Sequence, residues 1–320
     1  MINADILNKF KPITDEERAI QNGTLKYDVD HSIYLDSSRS VIDAKKLLEE
    51  GKLITVRPHA RFFHSREHTH NYIEVVYMCS GTTTHFIDGK KIILKAGELL
   101  FLSQSVRQEI LPAGENDIAI NFIILPQFFD RCLTMIGMAE TPLHLFIVDA
   151  LKGGNSSIGF LHFKISDVLP IQNLIENLIY TLINNTPNKR LINQTTMGLL
   201  FMQLLNHTEK IGYNTPADAA TLQIFRYIEH NYKTATLTEL AESLHYDVYA
   251  LSREIKKATG KNFTELLLEK RLSQAEFLLR NSNMNVDNIS RAVGYENISY
   301  FHRKFKEKYG MSPMHFRNCK

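Results

Sequence analysis

The sequence lacks the features that place a protein in a membrane or outside the cell. It contains no run of about 18 uncharged apolar residues, the length that a membrane-spanning helix needs. The N-terminal stretch MINADILNKFKPITDEERAI carries acidic side chains where a signal peptide requires an apolar segment. We therefore expect a cytoplasmic protein.

The chain is also poor in cysteine and in common catalytic motifs. Cys79, Cys132 and Cys319 are widely spaced and form no CxxC pair, which argues against a disulfide framework and a cysteine zinc site. The sequence has no glycine-rich phosphate loop, no GxSxG motif and no paired-carboxylate constellation. We expect no cofactor and no enzymatic activity.

The charge is nearly balanced but unevenly distributed. From Ala217 onward there are 16 Lys and Arg against 12 Asp and Glu, whereas the preceding part has 21 against 23. This asymmetry favours a nucleic-acid partner only slightly over a solvated basic surface. The length of 320 residues suggests two domains, and the motifs must decide what each one does.

Residues 53–125 have the pattern of antiparallel β structure. Short runs rich in β-branched and aromatic residues, such as YIEVVYMC, ELLFLS and IAINFIIL, are separated by turn residues. Asp88 and Gly89 lie between THFI and KKIIL and predict a two-residue hairpin, because both central positions of that turn favour positive φ. A compact barrel or sandwich is expected here.

Farther along, the apolar period becomes that of a helix. Two stretches within 166–210 repeat apolar residues at i, i+3, i+4 and i+7, which predicts two amphipathic helices. Their apolar stripes could form a dimer seam or cover the sheet, and core packing is the simpler expectation. Gly, Asn and Pro cluster in KIGYNTPADA, so we place a linker at 212–217.

The C-terminal region, 218–320, repeats itself with a period of 49 to 50 residues. The copies LAESLHYDVYALSREIKKATGKNF and ISRAVGYENISYFHRKFKEKYGMSP share apolar and basic positions. Each has the pattern of a helix-turn-helix unit, at about 236–259 and 286–309. Gly294 suits the left-handed conformation of a sharp turn, and His245 occupies that place in the first copy.

Helix caps support these boundaries. Thr236 and Glu239 predict a capping box, while Asp247 and Asn297 predict the N-caps of the two second helices. Between the units, 263–280 has a helical pattern and would span about 27 Å at 1.5 Å per residue. Such a strut could hold two recognition helices roughly one DNA turn, ~34 Å, apart.

The exposed face predicted for each second helix is polar and basic. Arg can contact guanine bidentately, Ser and His can bond base edges, and Tyr and Ile can meet thymine methyls or sugars, whereas Lys suits phosphates. One such face could simply be solvated, but two copies in register favour a major-groove reader. The candidate DNA-binding residues are Tyr249, Ser252, Arg253, Lys256, Lys257, Ile298, Ser299, His302, Arg303 and Lys306.

On these motifs, residues 217–320 resemble the AraC/XylS family of transcription regulators. The similarity rests on TLTELAESLHYDVYALSREIKKATGKNFTELL, RLSQAEFLL and ISRAVGYENISYFHRKFKEKYGMSPMHFR. The resemblance implies that the two second helices insert into adjacent major grooves of double-stranded promoter DNA. It also implies a homodimer, with RNA polymerase as a further candidate partner.

In the N-terminal half, HTHNYIEVVYMCSG is similar to the first cupin motif of AraC-type effector domains. This resemblance implies a β-barrel that binds a small molecule, often a sugar, followed by dimerisation helices. We therefore expect an α+β multidomain protein. A cupin-like effector and dimerisation domain would occupy 1–211, and an all-α domain with two helix-turn-helix units would follow it.

The same motif raises the question of a metal. Two His and one Glu could bind Fe, Mn or Zn with a further ligand, but Gln108 occupies the position at which cupin enzymes have their last His. His85 could replace that ligand, although no spacing in the sequence requires it. We favour a metal-free pocket that hydrogen-bonds a polar effector. The alternatives are a cupin metalloenzyme fused to a DNA-binding domain, or His68 and His70 exposed at the barrel mouth. The candidate effector-binding residues are His68, His70, Glu74, Tyr77, Gln108 and Asn121.

Overall fold

The computed structural model describes residues 2–24, 40–104, 106–130, 159–184, 186–212 and 216–318. The chain divides into two units, with the division between residues 213 and 214. The first unit is built on two β-sheets and the second consists of helices. In these described ranges, no helix combines the length and apolar character that crossing a membrane requires.

The first unit begins with helices and continues into a run of short strands. Its elements up to residue 124 are α1 (Ala4–Phe10), α2 (Asp15–Gln21), β1 (Val41–Ile42), α3 (Ala44–Leu47), β2 (Ile54–Pro58), β3 (Ser65–His70), β4 (Ile73–Ser80), β5 (Thr82–Ile87), β6 (Lys90–Lys95), β7 (Leu99–Leu102), β8 (Gln108–Ile110) and β9 (Ile118–Ile124). It continues with β10 (Phe160–Phe163), α4 (Leu169–Ile183), α5 (Lys189–Asn206) and β11 (Ile211–Gly212).

These strands form a five-stranded sheet of order β1-β3-β8-β5-β6 and a six-stranded sheet of order β11-β10-β7-β4-β9-β2. Apart from the parallel β1–β3 pair, the pairings are antiparallel. The predicted hairpin joins β5 and β6, with φ of 47° at Asp88 and 77° at Gly89. The two sheets extend beyond the predicted range 53–125, since β1, β10 and β11 lie outside it.

The inner faces of the two sheets meet in one apolar core. Val76, Met78 and Leu100 from the six-stranded sheet share a buried cluster with Ile87 and Leu94 from the five-stranded sheet. The alternation of side chains along a strand supplies one inward residue in two. The result is an open two-sheet, cupin-like barrel.

Helices α4 and α5 belong to the core of the first unit. The Phe101 ring of β7 lies 6.0 Å from that of Phe201 on α5, and Ile171, Ile175 and Ile179 of α4 are buried. Of the two uses considered for their apolar stripes, core packing is therefore observed. Three apolar residues of α5 nevertheless stay partly exposed: Leu191 at 46%, Ile192 at 41% and Leu199 at 42%.

The second unit contains two matched helix pairs around a central helix. Its elements are α6 (Pro216–Asn231), α7 (Leu237–Ser243), α8 (Val248–Thr259), α9 (Phe263–Asn281), α10 (Val286–Ala292), α11 (Ile298–Tyr309) and α12 (Pro313–Asn318). Both pairs, α7–α8 and α10–α11, have a 7-residue helix followed by a 12-residue helix. The predicted linker 212–217 is too long, because Gly212 belongs to β11 and Pro216 begins α6; residues 213–215 lie outside the described part.

The predicted caps are mostly observed. Asp247 accepts a hydrogen bond from the Ala250 amide at 2.9 Å, and Asn297 accepts one from the Tyr300 amide at 2.9 Å. The Thr236 hydroxyl caps α7 by accepting from the Glu239 amide. The reciprocal bond of the predicted capping box does not form, because the Glu239 carboxylate instead accepts from the Tyr227 hydroxyl at 2.9 Å.

The turns inside the two pairs have the expected left-handed backbone, with φ of 55° at His245 and 93° at Gly294. A second constraint acts on Gly294. A Cβ placed there would lie 2.4 Å from the Lys233 carbonyl oxygen. Glycine is therefore required by close approach as well as by φ.

Candidate functional sites

A cavity of about 440 Å³ with polar and apolar lining residues lies within the first unit. Its volume falls within the range of about 300–1,000 Å³ that is typical of small-molecule sites. Strands β2, β3, β4 and β9 and the loop after β2 contribute its walls. Its polar lining residues include His59, Ser65, His68, His70, Glu74 and Asn121, and its apolar ones include Ile42, Phe63, Tyr72, Ile110 and Ile123.

A chain of hydrogen bonds crosses the cavity wall. His59 Nδ1 donates to Asn121 Oδ1 at 2.8 Å, and Asn121 Nδ2 donates to Glu74 Oε1 at 2.9 Å. The other carboxylate oxygen, Glu74 Oε2, lies 3.6 Å from His70 Nε2. Asn121 thus links an imidazole to a carboxyl group and orients both.

Three of these four residues carry buried polar atoms with no hydrogen-bond partner among the described residues. These atoms are His59 Nε2, His70 Nδ1 and Glu74 Oε2. Buried polar atoms in folded proteins are nearly always hydrogen-bonded. Three unsatisfied atoms on residues that line the same cavity indicate a place for a polar ligand.

Burial sets the charge of the cavity. Desolvation lowers the pKa of His59, His68 and His70, so their rings are neutral at pH 7. Desolvation also raises the pKa of Glu74 to about 7, against the opposing effect of the Gln108 and Asn121 side-chain amides. Glu16 and Arg57, the other charged residues of the lining, are exposed and opposite in sign. The buried part of the cavity therefore holds one partly ionised carboxyl among neutral imidazoles, which favours a neutral ligand over a strongly charged one.

Four of the predicted effector residues, His68, His70, Glu74 and Asn121, line the cavity. His68 and His70 are only 4% and 2% exposed, so their exposure at the barrel mouth is ruled out. Gln108 is buried beside the cavity, where its amide donates to His85 Nδ1 at 3.1 Å.

The prediction for Tyr77 is wrong. Tyr77 follows Glu74 by three positions on β4, so its side chain points to the opposite face of the sheet. There its hydroxyl donates to Gln172 Oε1 of α4 at 2.6 Å. Tyr77 therefore fastens α4 to the sheet and does not face the cavity.

The sequence reasoning missed His59. This residue follows the last residue of β2, and its place beside Asn121 depends on the antiparallel pairing of β2 with β9. No spacing in the sequence signals that contact. His85, considered earlier as a substitute metal ligand, instead contacts Thr83 Oγ1 through Nε2 at 2.9 Å. Within the described residues, no three His, Cys, Asp or Glu side chains are grouped to hold a metal ion.

The candidate DNA-binding residues lie on the outer faces of α8 and α11. Leu251 and Ile255, and in the other pair Phe301 and Phe305, are fully buried and fix which face points outward. Tyr249 is 79% exposed. The other exposed members are Arg253, Lys256, Lys257, Ser299, Arg303 and Lys306, while Ser252, Ile298 and His302 are half-buried. Their contact with DNA stays a prediction.

Arg303 is oriented on α11 by two neighbours. Its guanidinium carbon lies 5.2 Å from the centre of the Tyr300 ring, and its Nε lies 3.9 Å from Glu307 Oε1. The side chain is still 65% exposed. Arg303 is therefore held at the surface with its guanidinium open to a partner.

Comparison with known proteins divides the chain in the same way. Residues 51–200 match the family described as an AraC-like ligand binding domain, and residues 240–318 match the one described as a helix-turn-helix domain. The HTH-type transcriptional activator RhaR of Escherichia coli O1:K1 is 23% identical over 258 residues, covering 79% of this chain and 86% of RhaR. The HTH-type transcriptional activator RhaS of Mannheimia succiniciproducens is 27% identical over 262 residues, covering 78% and 88%. A solved C-terminal domain of the response regulator yesN from Fusobacterium nucleatum is 35% identical, covers 31% of this chain and 98% of that domain, and has a TM-score of 0.30.

Proposed function

The chain belongs to the AraC/XylS family of ligand-responsive, DNA-binding transcription regulators, and we propose that its effector is a small neutral polyhydroxy molecule of the carbohydrate class. The proposed binding site is the cavity of the first unit. The proposed DNA-reading surfaces are the outer faces of α8 and α11, with no catalytic step between the two.

The observation that carries the effector proposal is the set of unsatisfied atoms in the cavity. Because His59 Nδ1 donates to Asn121, His59 Nε2 is left as an acceptor. Glu74 Oε2 accepts when ionised and donates when protonated. Hydroxyl groups both donate and accept, so a polyol can satisfy these atoms in either state of Glu74. The apolar side chains Phe63, Tyr72 and Ile123 would contact its C–H faces.

The experiment is a calorimetric titration of the purified protein with a panel of monosaccharides and their uronic acids. We expect a neutral sugar to bind the unaltered protein, and His59→Gln to lower its affinity at least tenfold, which corresponds to about 1.4 kcal/mol. His64→Gln is the matched control, because His64 is exposed and contacts Glu109 outside the cavity. Equal affinity in both variants, or binding of uronic acids alone, would overturn the effector proposal.

For DNA, we propose that α8 and α11 enter successive major-groove segments. Tyr249, Ser252 and Arg253, together with Ile298, Ser299, His302 and Arg303, would contact base edges or sugars. Lys256, Lys257 and Lys306 would contact phosphates. Helix α9 has 19 residues, so it spans about 28 Å and can separate the two readers by nearly one DNA turn. Selection of bound sites from random DNA tests this, and a preference for two half-sites one turn apart is the expected result.

We further propose a homodimer that acts on promoter DNA together with RNA polymerase. The dimer proposal is supported by Leu191, Ile192 and Leu199, which leave an apolar strip of α5 exposed. Sedimentation of the intact protein and of Leu199→Glu tests it, with dissociation expected only in the variant. The rival, a cupin metalloenzyme, predicts stoichiometric Fe, Mn or Zn bound through His68 and His70 in the purified protein.

A further inference from the structure

A second concave surface lies in the C-terminal unit, where the two helix-turn-helix pairs meet. We call it the seam groove, and its volume is about 510 Å³. The loop before α7, one side of α9 and the turn into α11 form it. The residues that matter here are Lys233, Thr236, Arg271, Tyr295, Glu296 and Tyr300.

The seam groove is rigidly built. Arg271 donates from Nε to the Tyr232 carbonyl at 2.7 Å and from Nη2 to the Lys233 carbonyl at 2.9 Å. Its guanidinium carbon lies 5.7 Å from the centre of the Tyr295 ring. The Lys233 carbonyl also borders Gly294 of the second pair. One guanidinium and one close backbone contact therefore hold the two pairs together at this place.

The seam groove contains an unsatisfied polar group. Tyr295 is 5% exposed, and its buried hydroxyl has no hydrogen-bond partner in the described part of the chain. Lys233 is exposed at the rim and Arg271 lies within. Among the described residues that line the groove, Glu296 contributes the one carboxylate. Two cationic side chains outnumber one carboxylate, and the Tyr295 hydroxyl is available to donate a hydrogen bond. This combination fits a ligand that presents anionic oxygens.

The position of the seam groove identifies the source of those oxygens. In helix-turn-helix complexes the first helix crosses the DNA backbone, while the start of the second helix enters the major groove. The groove is bounded by the segment leading into α7 of the first pair and by the first turn of α11 of the second pair. Tyr300, which lines it, also contacts Arg303 on the proposed reading face. With α8 and α11 placed in the major groove as proposed, the groove would face the DNA between the two major-groove segments.

We propose that the seam groove binds phosphodiester groups of the DNA backbone in the segment between the two recognition helices, through Lys233 and Arg271. This inference rests on the proposed recognition of DNA by α8 and α11. It adds a contact midway along the protein that fixes the spacing of the two readers without reading sequence.

The test uses the intact protein and a DNA site that it selects from random sequence. Methylphosphonate linkages, which remove one phosphate charge, are placed singly along the segment between the half-sites. We expect the unaltered protein to lose several-fold in affinity at one or two of these positions. Lys233→Gln should bind all sequences more weakly. The slope of its log affinity against log salt concentration should be smaller in magnitude by about 0.9, and a methylphosphonate at those positions should not change its affinity further.

Lys164→Gln is the matched control, because Lys164 is an exposed lysine of the first unit, and it should behave like the unaltered protein. If Lys233→Gln keeps the full slope and the same methylphosphonate sensitivity, the seam groove does not contact DNA. A second contrary result would be that inorganic phosphate binds the groove while methylphosphonates between the half-sites leave DNA affinity unchanged. The groove would then bind a free anion, and the proposal would also be overturned. Failure of the unaltered protein to select any DNA would instead overturn the proposed function itself.

Discussion

Gly294 offers a direct test of how the two helix-turn-helix pairs are joined. Its φ of +93° is one that side chains rarely adopt, and a Cβ there would lie 2.4 Å from the Lys233 carbonyl oxygen and 2.8 Å from the Lys233 Cα. The left-handed conformation costs alanine roughly 1–2 kcal/mol. Forcing an extra carbon against backbone costs a further ~1–3 kcal/mol. Gly294→Ala should therefore lower the free energy of unfolding of the second unit by ~2–5 kcal/mol.

Gly310→Ala separates these two contributions. Gly310 ends α11 with φ +76°, but a Cβ there would meet no atom within 4 Å. This variant should lose only the conformational part, roughly 1–2 kcal/mol. The difference between the two variants measures the close approach of the turn to Lys233.

Hydrogen exchange of the intact protein, followed by mass spectrometry, provides the assay. The amides of α9 report the free energy of opening of the second unit, because α9 packs against the second pair through Leu272, Ala275 and Leu279. Gly294→Ala should accelerate their exchange well beyond Gly310→Ala. Equal acceleration in both variants would refute the argument, since it would mean that the Lys233 segment moves aside without cost.

Three further predictions concern charge and recognition. Burial raises the pKa of Glu74 from 4.5 to about 7. The contribution of Glu74 to stability is therefore fully present below about pH 4.5 and is lost as the pH rises through about 7, an effect of up to ~3 kcal/mol. Glu74→Gln should flatten the pH dependence of urea unfolding, and an unchanged profile would contradict the assignment. Arg303→Ala should weaken binding to the selected site by ~1–3 kcal/mol and relax one base position, whereas Lys306→Ala should weaken all sequences alike, and unchanged footprints for both would remove α11 from the interface. Arg61 and Glu17 form a buried pair, 2.7 Å apart and each 3% exposed at the side chain; Glu17→Leu should cost ~3–5 kcal/mol by leaving the guanidinium unpaired, with Glu16→Leu as the exposed control.

The sequence predicted best what depends on neighbouring residues. The turn at Asp88 and Gly89 and the caps Asp247 and Asn297 each involve a few consecutive residues, so composition and spacing suffice. The matched helix pairs were found because two copies of one pattern reinforce each other. Tyr77 follows Glu74 by three positions on one strand, and this odd spacing places the two side chains on opposite faces.

Contacts between distant segments could not be read from the sequence. His59 reaches Asn121 only because β2 pairs with β9. Gly212 looked like a linker residue, but it pairs with His162 in β11–β10. The sequence likewise explains Gly294 by its turn alone, whereas its contact with Lys233 joins segments about sixty residues apart. Such pairings depend on tertiary packing, which local propensity does not encode.

We propose that occupancy of the cavity in the first unit controls DNA binding by the second, and one measurement tests this proposal most directly. The affinity of the intact protein for its selected DNA site is determined with and without the sugar that binds the cavity, in the unaltered chain and in His59→Gln. The account predicts that the sugar changes the DNA affinity of the unaltered protein, that DNA changes the sugar affinity by the same factor, and that both effects vanish in His59→Gln at the same sugar concentration. A sugar that binds but leaves DNA affinity unchanged, or that changes it equally in His59→Gln, would contradict the account.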